Sequence, residues 1–280
     1  MAQNDIIKEL VEHLKSLSKT DYYQIKIIPN SSPEIFDSKL GGLPYWTPDK
    51  NYPTNSDGEQ LILLAQINFE REKVDSPLPT NGMLQFFITN DDMLGMNSDD
   101  QSEQNNFRVI YHEKINYNIN KEDVEKLNIP TSNEKAGEDF AIIKECKISL
   151  EKGVDYIKYG DIKFDNFLKI AYKEVFKKEP NKENIYFYVL NDDERNRLDQ
   201  ELEINKSNHK MLGYAYFTQE DPRYDEKYRN YDTLLLQIDS ESKYVKWGGT
   251  GIGNFFISKK SLLEKDFSNI LYNEKFRYLY

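Results

Sequence analysis

A nine-residue stretch that occurs twice constrains this chain more than any other feature. SKLGGLPYW at 38–46 aligns with HKMLGYAYF at 209–217, matching Lys39 to Lys210, Gly42 to Gly213 and Tyr45 to Tyr216, with Trp46 opposite Phe217. Continuing without a gap, LLAQIN at 63–68 falls on LLLQID at 234–239 and pairs Gln66 with Gln237. The glycine and the glutamine are 24 residues apart in both copies. After a two-residue shift, GMLQFFI at 82–88 falls on GIGNFFI at 251–257, with Gly251 at the head of the second copy. Three matches in the same order at nearly fixed spacing read as an internal repeat, and the aromatic and aliphatic runs within it suit strands. The expectation is an α+β fold in one domain, 1–280, of two pseudo-duplicated, mostly antiparallel β-rich halves with peripheral helices. The halves span 22–112 and 205–272, preceded by a helix over 4–18 and separated by a mostly helical elaboration over 113–204.

Local patterns fill in this frame. Ile6, Ile7, Leu10, Val11, Leu14 and Leu17 recur at helical spacing, with Asn4 as the N-cap. YYQIKII alternates like a strand and stops at Pro29. QLILLAQINF is almost continuously apolar, as a strand buried on both faces would be. Strands are also expected at GMLQFFI, FRVIYHE, EDFAIIKECKISL, LGYAYF, TLLLQID, YVKW and NFFIS. Helices are expected after Asn118 or Asn120, along the face Phe164, Phe167, Leu168, Ala171 and Val175, after Asn191, and at SLLEKD.

A chain of 280 residues can bury a sizeable core without staples. Its 37 basic against 48 acidic groups leave a net charge of −11, which argues against nucleic acid and anionic membranes as partners and permits a basic protein. The single Cys146 forms no internal disulfide, and its alternation with Lys147 and Ser149 turns the thiol toward a core. No apolar run approaches the length of a membrane span, and Asp5, Glu9 and Glu12 do not suit a signal peptide. A cytoplasmic protein is expected.

Motifs for chemistry are sparse. His112 lacks the second histidine of a zinc helix, and the acidic run NDDMLGMNSDDQ fails the calcium-loop pattern at its fifth and twelfth positions. WGGTGIGNFF lies between two expected strands, so it reads as a tight, flexible hairpin and not as a phosphate loop opening a helix. No serine elbow is present. No catalytic residue, metal site or cofactor is therefore expected. Gln66 and Gln237 stand out as polar residues inside apolar strands, and an unpartnered buried amide costs about 1–3 kcal/mol, so each must find partners. They either tie loops together or line a cleft between the halves. FTQEDPRYDEKY adds Gln219, Asp221 and Arg223, and His209 and Asp239 lie near the second repeat, completing a candidate ligand set. Gly42, Tyr45, Trp46, Gly213, Tyr216 and Gly251 are read as structural, with Pro44 removing an amide that a phosphate nest would need.

SKLGGLPYW, the YP…DG of Tyr52-Pro53…Asp57-Gly58, LLAQINF, LP…GMLQFFI, FRVIYH, LGYAYFTQEDPR, LLLQID and GIGNFFI together resemble the YwqG-like bacterial family, from about residue 20 to 272. The resemblance implies an α+β fold with internal duplication and no established activity or cofactor. The chain departs from that family where Gly249 follows Trp247-Gly248 in place of an aspartate, and where it ends in YNEKFRYLY without the family's cysteines. These departures weigh further against catalysis.

The expected function is that of a non-enzymatic protein-interaction module, with an immunity-like role as one form, presenting exposed aromatics on an acidic surface. The alternative is a small-ligand-binding or hydrolytic protein whose cleft between halves gathers Gln66, His209, Gln219, Asp221, Arg223, Gln237 and Asp239.

Overall fold

The computed structural model describes residues 3–132, 140–202, 207–241, 243–248 and 250–275. In chain order the elements are α1 (Gln3–Ser18), β1 (Thr20–Ile28), β2 (Lys39–Leu40), β3 (Ile62–Asn68), β4 (Met83–Ile88), β5 (Phe107–His112) and α2 (Lys121–Glu125). There follow β6 (Cys146–Asp155), α3 (Phe164–Phe176), α4 (Ile185–Tyr188), α5 (Asp192–Glu201), β7 (Lys210–Leu212), β8 (Thr233–Asp239), β9 (Ile252–Ile257), α6 (Lys259–Glu264) and β10 (Leu271–Lys275).

All ten strands join one antiparallel sheet in the order β5-β4-β3-β2-β6-β1-β7-β8-β9-β10. β1 and β6 run side by side from Thr20↔Asp155 to Ile28↔Lys147 and form the centre. A four-strand block flanks them on each side, β2–β5 on one and β7–β10 on the other. Lys39 pairs with Gln66 in the first block, and Lys210 pairs with Gln237 in the second. β3 is irregular against β4 between Leu63 and Ala65, and β8 against β9 between Leu234 and Leu236.

The sheet curls until its outer strands meet, giving a nearly closed, barrel-like wall with six α-helices among the described residues. Phe86 of β4 and Phe107 of β5 lie with ring centroids 5.1 and 6.1 Å from Phe255 of β9, which stacks on Tyr272 of β10 at 4.4 Å. The Tyr272 N–H donates to the Gln101 carbonyl. Removing such rings from water supplies roughly 1.5–3 kcal/mol apiece, and their edge contacts add to that. The enclosed core draws on both blocks and on β1 and β6. β3 carries core residues on both faces, with Leu64 and Ile67 inside and Leu63 packed outside on Trp46 and Phe87, as its continuous apolar run requires. A second core forms where α1 lies against α3 and α5 through Leu10, Leu14, Leu168 and Leu198, with α4 packed on α3.

Several expectations need correction. The strand expected at EDFAIIKECKISL is displaced toward the C-terminus, as β6, a central strand of ten residues. It begins at Cys146, past residues 140–145, while Glu138 and Asp139 of that stretch lie outside the described residues, and the thiol is buried in the barrel core, with burial pushing it up to about 12. YVKW is a turn, with Val245 making only isolated bridges to Ile142 and Glu241. LGYAYF is strand only to Leu212, after which Gly213 turns the chain at φ +74°. Asn4 lies inside α1. The glycines of GIGNFF serve close packing, since a Cβ on Gly251 or Gly253 would stand 2.8 or 2.6 Å from the Trp247 side chain. β10 and α4 were not foreseen: LYNEK carries a polar run, and four residues are too few to show a period. Asn120 and Asn191 do cap α2 and α5, each within a reciprocal capping box. Gly249, the chain from 276 onward and residues 203–206 lie outside the described residues.

Candidate functional site

The residues singled out by sequence sort into sealed networks and one exposed segment. Gln66 is fully buried. Its Oε1 accepts from the Tyr45 N–H at 2.9 Å and from Gln85 Nε2 at 2.8 Å, and its Nε2 donates to the Ile35 and Asp37 carbonyls at 2.8 and 2.9 Å. Gln85 also donates to the Tyr45 carbonyl at 2.7 Å and meets His112 Nε2 at 2.8 Å. Burial holds that imidazole down at about 4, with Lys50 adding to the effect, so it is neutral near pH 7 and donates from Nε2 to the Gln85 carbonyl oxygen.

Gln237 repeats the arrangement in the second block. Its Oε1 accepts from the Tyr216 N–H at 2.7 Å, its Nε2 donates to the Asn208 carbonyl at 2.7 Å, and Asn254 Nδ2 donates to the Tyr216 carbonyl at 3.0 Å. The amides bracket Tyr45 and Tyr216, fixing the chain just past Gly42 and Gly213, which take φ of +73° and +74°. Trp46 is buried with its edge contacts on Phe87 and His112. Both glutamines thus tie loops to strands and face no solvent.

His209 is buried as well, and burial holds it down at about 4. Its Nδ1 accepts from the Asp239 N–H at 3.0 Å, while the Asp239 carboxylate accepts from Ser207 Oγ at 2.5 Å. Asp221 and Arg223 join Asp161 in a buried ion cluster. Arg223 donates through Nε and Nη2 to Asp221 at 2.9 and 2.7 Å and through Nη2 to Asp161 at 2.8 Å, with its guanidinium 4.4 Å from the Phe256 ring centroid. Asp221 also accepts from the Ile162 and Arg223 N–H groups. Two carboxylates around one fork satisfy the desolvated charges, so this cluster pins the 219–225 segment to the start of α3.

That segment is where one predicted residue, Gln219, reaches the surface, above the buried Asp221 and Arg223. Gln219, Glu220, Asp221 and Tyr224 line two adjoining depressions. One, of about 450 Å³, runs toward Tyr228 and Asn273. The other, of about 430 Å³, is walled by Tyr159, Phe164, Asp165 and Asn184. Burial raises the Asp165 carboxyl above the usual range. Tyr159 stacks on Tyr186 at 4.5 Å and meets Phe187 at 6.0 Å, and Tyr188 leads to a third depression beside Glu179 and Glu194. Tyr224, Phe187 and Tyr188 are 44%, 51% and 74% exposed. Sequence reading found Gln219 and Asp221 on this belt but missed its aromatic half, because α4 gives no periodic signal.

The structure brings Asp221, Arg223 and Gln219 together, and His209 to Asp239, but leaves Gln66 and Gln237 sealed in different blocks. No group of three or more His, Cys, Asp or Glu side chains among the described residues could hold a metal ion. No described helix is long and apolar enough to cross a membrane.

These features define an antiparallel, barrel-like α+β protein whose buried polar residues are spent on the scaffold and whose exposed feature is an acidic aromatic belt. Residues 38–275 match the family described as a domain of unknown function, DUF1963, and the chain belongs to that family. A comparison with curated proteins finds no match.

Proposed function

We propose that the protein is a non-enzymatic, cytoplasmic interaction module that binds a basic segment of another protein through the belt from Tyr224 to Tyr188. The carrying observation is the run of exposed rings, Tyr224, Tyr159, Phe187 and Tyr188, set among Asp165, Glu220 and Asp193 in a chain of net charge −11. Aromatic rings and unpaired acids favour lysine and arginine side chains, through the ring faces and through Coulomb attraction. Immunity-like binding of a basic toxin is one form of this reading. Pull-down from native lysate with wild type and with a Phe187→Ser/Tyr188→Ser variant tests it. A basic protein held by wild type, released by salt and absent with the variant is expected. Identical captures by both chains, or none, would sink it.

The reading includes descent of the two strand blocks from one duplicated unit, as in the YwqG-like family. It is supported by the matching positions of Lys39 and Lys210, of Gln66 and Gln237, and of Gly42 and Gly213.

A further inference from the structure

The two blocks differ most where the chain leaves β2 and β7. Past β2, Gly41 and Gly42 turn at positive φ and the space beside them is filled. A Cβ on Gly41 would stand 2.7 Å from Ile142, and one on Gly42 would stand 2.1 Å from Glu145 Oε2. Past β7, Leu212 and Gly213 take the same turn, at φ +61° and +74°; Gly213 also packs closely, on Asp155 and Tyr22, but this turn lines a depression of about 620 Å³. A leucine in this left-handed region costs about 1–2 kcal/mol, and such strain concentrates at functional sites.

The rim of this depression has the opposite charge to the rest of the molecule. Lys19, Lys152, Lys163 and Lys259 line it with only Asp21 and Asp232 as acids, in a chain of net charge −11. Lys152 is shared between Asp21 and Asp75, and Lys163 Nζ donates to the Asp232 carbonyl at 3.1 Å. Asp232 Oδ1 accepts from the Lys259 N–H and the Thr233 hydroxyl, both at 2.8 Å. The Lys19 and Lys259 ammonium groups are exposed and make no ion pair among the described residues. Tyr214 and Pro77 supply an apolar wall. The volume falls within the range of small-molecule sites. Lysines are compact point-charge partners for phosphate, and no guanidinium is present to fork a carboxylate.

We propose that this depression binds a small phosphorylated molecule, its phosphate held by Lys19 and Lys259 and its uncharged body resting on Tyr214. The proposal stands apart from the belt and needs no partner protein. Calorimetric titration of the full chain with inorganic pyrophosphate tests it, beside Lys19→Gln/Lys259→Gln and a charge-matched control, Lys169→Gln/Lys182→Gln, all checked for folding by circular dichroism. Saturable binding with a Kd of about 1 mM or tighter is expected, weakened about tenfold or more in the first double variant and unchanged in the control. Equal weakening in both variants would reduce the effect to bulk charge and overturn the proposal, as would unsaturable binding. Citrate binding as tightly as pyrophosphate would overturn the choice of phosphate.

Discussion

Lys39 and Lys210 occupy matching places in the two blocks, each paired in register with a buried glutamine, yet they are held in different ways. Lys210 Nζ faces the Asp155 carboxylate at 2.8 Å, and both side chains are nearly inaccessible. Lys39 has no carboxylate in contact, and its Nζ donates to the Glu34 carbonyl at 2.9 Å and to the Leu43 carbonyl. Desolvation, only partly offset by Glu145 and Asp37, brings Lys39 down to about 7. A neutral amine has two N–H donors, which matches its two carbonyl partners. The same residue type in the same place therefore serves as half of an ion pair in one block and as an amide-like staple in the other. The acid at the far end of β6 makes the difference: Asp155 reaches its lysine, whereas Glu145, just before that strand, acts on Lys39 only from a distance.

Substitutions at the two lysines test this contrast most strongly. Lys210→Met leaves the Asp155 carboxylate buried without its cation and should cost about 3–5 kcal/mol in urea unfolding. Lys39→Met leaves two carbonyls unpaired and should cost about 1–3 kcal/mol at pH 7. Equal losses would mean that the two lysines are held alike. Next in size is the glycine pair. Gly213→Ala forces a left-handed alanine against the buried Asp155, with a Cβ 2.5 Å from Oδ2, and should lose about 1–2 kcal/mol or more. Gly42→Ala meets only the movable end of Glu145 and should lose less, so the reverse order of melting temperatures would overturn this view of the turns.

Smaller effects appear as pH dependence, with opposite signs. In the first block His112 sits near 4 and Lys39 near 7, both below their ordinary values. The folded state then binds fewer protons, so their stabilisation is present above the ordinary value and is lost as pH falls, from 6.5 through about 4 for His112 and from 10.5 through about 7 for Lys39. Glu274 at the end of β10 is buried, its Oε1 accepts no hydrogen bond, and desolvation raises it to about 8. Its stabilisation is full below the ordinary 4.5 and is lost as pH rises through about 8. Glu274→Gln should therefore flatten the descending limb of a stability–pH curve between about 4.5 and 8 and keep its full gain over wild type above pH 8. An unchanged limb would show that the carboxyl does not titrate there.

Much of the scaffold was legible because strand burial and turn chemistry leave local marks. The repeat matched Lys39, Gly42 and Gln66 to Lys210, Gly213 and Gln237, and an amide inside an apolar strand signalled a bonded residue before its partners were known. The candidate ligand set was legible only in part. Gln219 does reach the surface, but polarity within a β-rich run does not say whether a side chain meets solvent, backbone or a buried charge: Gln66, Gln237 and His209 meet backbone, and Asp221 meets Arg223. The second half of β6, LEKGVD, and all of β10, LYNEK, escaped because their polar runs show no clean alternation.

The sequence by itself determined the strands and glycine turns shared by the two repeat copies, the Asn120 and Asn191 helix caps and the buried place of Cys146, since these follow from propensity, period and the conformational freedom of glycine. Only the tertiary structure decided which lysine received a carboxylate, which turn stayed open and lysine-rimmed, and which aromatics came together as a belt. Those outcomes depend on residues more than fifty positions apart, Asp155 with Lys210 and Tyr159 with Tyr224, and pairwise contact across a curled sheet has no local signature.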